Sequence, residues 1–243
     1  IVYKYKRYGK EGDSLVRLDS PFPAEHLHLL LADHIETTYK KRGDTYGDVA
    51  ESITALVSQR QGNYLAFFPS YKYMQEVATL FADAHADIET LVQETGMSEH
   101  EREAFLAVFD EESSNTTVGF AVMGGIFGEG IDLVGERLVG AVVVGVGLPQ
   151  ICLERDLIKH YFDERDISGF EYAYTYPGMN RVLQAAGRVI RTEADRGAIL
   201  LVDRRFGQGR YRRLFPPSWN NVRPVRAPAL IAESLADFWD NGH

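Results

Sequence analysis

The sequence predicts an α/β fold, a parallel β-sheet covered by helices on both faces. Three observations carry that reading. Short apolar runs recur at 63–68, 117–123, 139–146 and 198–202, without the polar alternation of a half-solvated strand. Stretches with apolar residues at helical spacing lie between them, so strands alternate with helices. Turn residues bracket the runs, as Gln61-Gly62 and Pro69-Ser70 do at either end of the first.

Taken in order, 1–17 alternates tyrosines with Lys and Arg and reads as an extended, partly solvated lead-in. Ser20-Pro21-Phe22-Pro23 is a breaker before the first core element. Residues 27–31 form a short apolar strand, and Arg42-Gly43-Asp44-Thr45 supplies a turn and a helix cap. Val49, Ile53, Leu56 and Val57 keep helical spacing, which predicts an amphipathic helix over 46–59. A buried strand follows at 63–68, then a helix at 71–84, a strand at 88–93 and an acidic helix at 98–109. Strands are expected at 117–123 and 139–146, helices at 151–163 and 177–191, and a last core strand at 198–202. Leu230, Ile231, Leu235 and Phe238 lie on one stripe of a final helix, 228–239.

Composition sets bounds on function. The chain has 243 residues, 45% hydrophobic and 25% charged, enough to bury a sizeable core. No run of about 18 apolar residues occurs, so no membrane span is expected. The single cysteine, Cys152, excludes an intrachain disulfide and an all-cysteine metal or iron–sulfur site within these residues. A reducing, cytoplasmic setting is the expectation, and a start at Ile1 rather than Met suggests a piece of something longer. The net charge of −9 opposes nucleic-acid binding as an average, but the distribution matters more. Nine arginines between Arg181 and Arg213 face only Glu193, Asp195 and Asp203, whereas 83–112 is dense in acids with Arg102 its only Arg or Lys.

Three blocks carry candidate chemistry. Gln184-Ala185-Ala186-Gly187-Arg188-Val189-Ile190-Arg191 closes the helix expected at 177–191. On that helix Gln184, Gly187, Arg188 and Arg191 share one face, at i, i+3, i+4 and i+7. Two guanidiniums beside a glycine and an amide make a cradle for a polyanion, because the planar fork binds phosphate oxygens bidentately. The plainer alternative is a solvated basic face. Pro69-Ser70-Tyr71 follows the strand at 63–68 and opens a helix, where Ser70 can cap and free backbone N–H groups suit a phosphate. Tyr71 or Tyr73 can stack on a base or hydrogen-bond the backbone, and plain capping and core packing are the alternative. Gly124-Gly125 follows the strand at 117–123 and can let a ligand backbone approach, with Glu129 and Asp132 placed around Gly130. A glycine-rich turn with surface acids is the alternative there. All three blocks are expected at strand ends, where ligands bind in an open parallel sheet.

The octapeptide resembles motif VI of superfamily 2 helicases, and with its surroundings the second motor domain of the DinG/XPD-type DNA helicases. Gly62-Asn63-Tyr64-Leu65-Ala66-Phe67-Phe68-Pro69-Ser70-Tyr71 resembles motif IV of that family. Gly124-Gly125-Ile126-Phe127-Gly128-Glu129-Gly130-Ile131-Asp132-Leu133 resembles its motif V. The blocks agree in order and spacing, and the resemblance runs from about Ser20 to Phe206. It implies a RecA-like, P-loop NTPase-like helicase C-terminal domain over 20–243, after a lead-in at 1–19. It also implies an ATP-dependent DNA helicase moving 5′ to 3′ on single-stranded DNA, with ATP and Mg²⁺ shared with an N-terminal motor domain of the same polypeptide. Arg191 is then the arginine finger, Arg188 a second phosphate contact, and Gln184 the residue that orients the attacking water or the motif beside it. Glu129, Gly130, Asp132 and Gly187 join the nucleotide site, and Ser70, Tyr71, Gly124 and Gly125 the DNA track. Asp203 and Arg205 are expected to fix the motif VI helix.

Other parts of an ATPase are missing from the sequence. No Gly-x-x-x-x-Gly-Lys-Ser/Thr occurs, since Gly9-Lys10 leads into Glu11 without a glycine loop. Asp110-Glu111-Glu112 follows a helix rather than a strand, so the Mg²⁺-holding carboxylate is absent too. An iron–sulfur cluster, where relatives carry one, is expected outside these residues, and no metal site within them. The fragment alone is expected to be inactive. The rival expectations are a nucleoprotein-remodelling ATPase that separates no strands, and a non-catalytic single-strand-binding module.

Overall fold

The computed structural model describes residues 20–111, 115–127, 133 and 135–240. The lead-in expected at 1–19 lies outside them. Among the described residues seven strands form one sheet: β1 Leu27–Ala32, β2 Asn63–Phe68, β3 Glu89–Val92, β4 Thr117–Val122, β5 Gly140–Val144, β6 Gly197–Val202 and β7 Arg223–Pro224. Their order is β3-β4-β2-β5-β6-β1-β7, and every described pairing is parallel. The α-helices are α1 Tyr46–Val57, α2 Tyr71–Ala84, α3 Glu99–Ala107, α4 Leu153–Asp163, α5 Tyr176–Ala186, α6 Gly209–Arg212 and α7 Pro228–Asp240.

The apolar runs are continuous because both faces of the sheet are covered. Leu30, Ala66, Phe68, Val142 and Leu200 point to one side, packed with side chains of α1, α2 and α7. Their sequence neighbours Leu29, Leu65, Phe67, Val143 and Leu201 point to the other, against Phe105 of α3 and Met179, Val182 and Ala185 of α5. Each fully buried Leu, Val or Phe contributes roughly 1.5–3 kcal/mol, so both layers are held by dry packing. The two-sided parallel sheet agrees with the fold class expected from sequence.

Successive connections diverge in the middle of the sheet. After β2 the chain moves outward to β3, whereas after β5 it moves the other way, to β6. β2 and β5 are neighbours, so the crevice beyond their carboxyl ends is a topological switch point, where open parallel sheets bind ligands.

One expected helix is shorter than its pattern. The segment 177–191 was expected to be helical throughout, but α5 ends at Ala186, after a π turn at Glu171–Thr175. Arg188 and Val189 N–H bond the carbonyls of Ala185 and Ala186, three residues back, which tightens the turn. The carboxylate of Asp195 then takes the N–H groups of Arg191 (2.7 Å) and Thr192 (2.8 Å), drawing the backbone off the helical path. Gln184, Gly187, Arg188 and Arg191 therefore do not share one helix face.

Candidate functional site

The residues singled out by sequence divide between the two edges of the sheet. Ser70, Tyr71, Gly124 and Gly125 follow β2 and β4 at the carboxyl edge, as expected. The motif VI block does not. It precedes β6, and a Cβ on Gly197, the first residue of β6, would lie 2.3 Å from Val189 and 2.9 Å from the Val139 carbonyl just before β5. Arg188 and Arg191 thus sit by the amino edge, a strand length of about 17 Å from the carboxyl edge. The reason is the path of α5, which starts at the carboxyl edge and runs back along the sheet. Glu129, Gly130 and Asp132 lie outside the described residues.

At the amino edge, Arg188 and Arg191 are half-buried while Gln184 and Gly187 are exposed. The turn that carries Arg191 is built around Asp195, 6% exposed. Besides the two backbone N–H groups, its other oxygen accepts the Thr192 hydroxyl at 2.6 Å. Three donors on one buried carboxylate fix the backbone beneath Arg191. A Cβ at Gly187 would press on the Leu183 carbonyl at 3.1 Å, so glycine suits this tight helix end.

At the carboxyl edge, Ser70 caps α2, accepting from Tyr73 N at 3.4 Å, and takes a hydrogen bond from Arg42 Nη1 at 3.3 Å. The Tyr71 hydroxyl accepts from Gln93 Nε2 at 3.0 Å, while Gln93 Oε1 accepts from Val122 N at 2.8 Å. Gln93 is 1% exposed and ties the start of α2 to the end of β4, directly below Gly125. Gly124 has φ +70°, a left-handed conformation that glycine adopts freely, and Arg181 of α5 lies over it. Arg181 Nη1 also reaches the Gly147 carbonyl at 3.5 Å. The start of α5 is seated equally closely: a Cβ on Gly178 would meet the Val146 carbonyl at 2.6 Å. One helix therefore touches the glycines after β4 and β5 with its first turns and ends at the arginine-bearing turn.

Asp203 and Arg205 were expected to fix the motif VI helix, but they brace the opposite edge. Asp203 is fully buried at the end of β6 and holds Arg205 through two bonds, 2.9 Å from Nε and 2.7 Å from Nη2. It also accepts the Thr37 hydroxyl, which anchors the loop after β1. Burial works against the Arg205 charge, but the Asp203 bonds and charge raise its pKa overall, so it remains a cation. Gln93, Arg181 and Asp195 were missed from sequence as site residues. Thr192-x-x-Asp195 carries a readable signal, the spacing of a side chain that binds backbone N–H groups nearby. Gln93 carries none, because its partners come from other elements.

Comparison with known proteins fits this arrangement. Residues 53–222 match the family described as Helicase C-terminal domain. A Methanocaldococcus jannaschii protein named a probable ATP-dependent helicase is 27% identical over 215 residues, covering 82% of this chain and 32% of its own length. The Schizosaccharomyces pombe XPD subunit of general transcription and DNA repair factor IIH is 25% identical, covering 75% of this chain and 25% of that protein. A solved XPD helicase structure superposes with a TM-score of 0.64 at 20% identity, over 82% of this chain and 35% of that one. The fold is thus RecA-like, and the resemblance carried by the three blocks is borne out. The chain spans about a third or less of the length of these relatives.

Proposed function

The chain belongs to the helicase C-terminal domain family, and from that premise we propose that it is the second motor domain of an ATP-dependent DNA helicase. In this reading the full-length protein translocates 5′ to 3′ on single-stranded DNA. Arg191, with Arg188, reaches a nucleotide and its Mg²⁺ held by the N-terminal motor domain, where a guanidinium stabilises charge on the transferring phosphoryl. Gln184 orients the attacking water. Gly187 lets the nucleotide approach, and Glu129, Gly130 and Asp132 complete its contacts. Ser70, Tyr71, Gly124 and Gly125 form part of the track for single-stranded DNA.

The single observation that supports this reading most strongly is the span of α5. It links glycines at the carboxyl edge to the arginine-bearing turn at the amino edge, so a shift at one edge is passed to the other by a packed helix. A motor that couples hydrolysis to movement on DNA needs such a connection. The test is DNA-stimulated ATP hydrolysis and strand displacement by the full-length protein, on duplexes with either a 5′ or a 3′ single-stranded tail. Displacement from the 5′ tail is expected. Hydrolysis without displacement on either tail would favour a nucleoprotein-remodelling ATPase, and DNA binding without hydrolysis a non-catalytic module.

A further inference from the structure

We propose that the cleft at the β2/β5 switch point seats one nucleotide of the single strand, its phosphate on Arg42 and its base against Tyr39. This rests on the DNA-track reading above and adds residues that none of the three blocks contains. The cleft has a volume of about 650 Å³ and opens between the loop after β1, Pro69, and the loop after β5. That size is ordinary for a small-molecule site.

Among the lining residues, Arg42 is the cation that pairs with no carboxylate. Arg205 is neutralised by buried Asp203, and Lys159 pairs with Asp163 at 2.9 Å. Asp156, the acid in the lining, accepts from the Tyr174 hydroxyl at 3.0 Å. Arg42 instead contacts the Ser70 hydroxyl and two ring faces, 4.7 Å from the Tyr39 centroid and 5.3 Å from that of Tyr73. Among the described residues no carboxylate pairs with it. One such guanidinium matches the single charge of a phosphodiester; a nucleoside triphosphate would bring several charges to a cleft without a glycine-rich phosphate loop.

The remaining surface suits a base. Tyr39 is 83% exposed and Ile151 82%, so both present apolar surface at the cleft mouth. The guanidinium covers one face of the Tyr39 ring and leaves the other open. Leu148, Pro149 and Phe170 continue the apolar wall. Aromatic stacking beside a cation is how single strands are held without sequence readout. Pro69 joins the cleft to Ser70 and Tyr71, so a strand on the track passes its mouth.

The experiment measures binding of a fluorescent 20-nucleotide oligo-dT by full-length wild type, Tyr39→Ala, Tyr39→Phe and Arg42→Gln across a salt series. Melting temperature and ATP affinity are measured on the same preparations. Tyr39→Ala should bind about 5- to 100-fold more weakly with an unchanged melting temperature, and Tyr39→Phe should bind like wild type. Arg42→Gln should lower the slope of log affinity against log salt by about 0.7, the loss of one phosphate contact on a single strand. Wild-type affinity retained in Tyr39→Ala would overturn the proposal while leaving the DNA-track reading intact. Absence of single-strand binding by the wild type would overturn that reading itself. A fall in ATP affinity in place of DNA affinity would assign the cleft to free nucleotide and overturn the proposal.

Discussion

Replacing Asp195 with alanine tests whether the turn bearing Arg191 is a built device. The side chain is buried and accepts three hydrogen bonds, from Arg191 N, Thr192 N and Thr192 Oγ1, at 2.6 to 2.8 Å. A hydrogen bond to a charged group contributes about 1.5–3 kcal/mol. The three bonds share one carboxylate and do not add fully, so about 3 kcal/mol is expected for Asp195→Ala. For a chain of this size that is a fall in melting temperature of about 6–12 °C. Asp195→Asn keeps one acceptor oxygen and should lose about half as much. Function should fall further than stability. Once the backbone under Arg191 is released the guanidinium is misplaced, and an error of about 1 Å can cost about 100-fold in rate. The assay is DNA-stimulated ATP turnover per folded molecule in the full-length protein, at a temperature where every variant is folded. Wild-type turnover in Asp195→Ala, corrected for folded fraction, would show that this turn does not position Arg191.

Two further outcomes follow from buried polar groups. Gln93→Ala strands the Val122 N–H and frees the Tyr71 hydroxyl, so about 1–3 kcal/mol of stability should be lost, with weaker single-stranded DNA binding by the full-length protein; loss of stability alone would remove Tyr71 from the track. His28 has its pKa lowered to about 4 by burial first, then by Arg223 and Arg196, against an opposing Asp237. The unfolded chain takes up this proton near pH 6.5 and the folded one near 4, so stability is full above 6.5 and falls as the pH drops towards 4. About 2 kcal/mol should be lost over that window, and His28→Asn should flatten this part of the melting profile.

Most of the fold was legible because its signals are local. The strand at 63–68 and the helix at 71–84 match β2 and α2 end to end, since Gly62 and Pro69-Ser70 bracket them chemically. The overrun of α5 has the opposite cause. Leu183, Ala186, Val189 and Ile190 keep the apolar period past residue 186, but a carboxylate nine residues beyond the helix end captures the backbone, and periodicity is blind to that. β7 was missed because two residues, one a proline, carry no run. Of the site, Ser70 and the glycine pair were placed correctly at the carboxyl edge. The motif VI arginines were assigned to the wrong edge, because spacing along the chain does not show that a helix runs back across its sheet. Arg42 was read only as the start of a turn, and Thr37 and Tyr39 gave no signal at all, because the cleft they line is completed by the distant loop after β5.

Whether this domain lends Arg191 to a phosphoryl transfer, as proposed, is decided by Arg191→Ala in the full-length protein. DNA-stimulated turnover, ATP affinity and melting temperature are measured on one preparation. A guanidinium acting on the transition state should cost about 10³-fold in turnover when removed, with a much smaller change in ATP affinity. Arg191→Lys should rescue poorly, keeping the charge and losing the fork. Near-wild-type turnover in Arg191→Ala, or a lowered melting temperature with normal turnover per folded molecule, would show that Arg191 takes no part in the transfer.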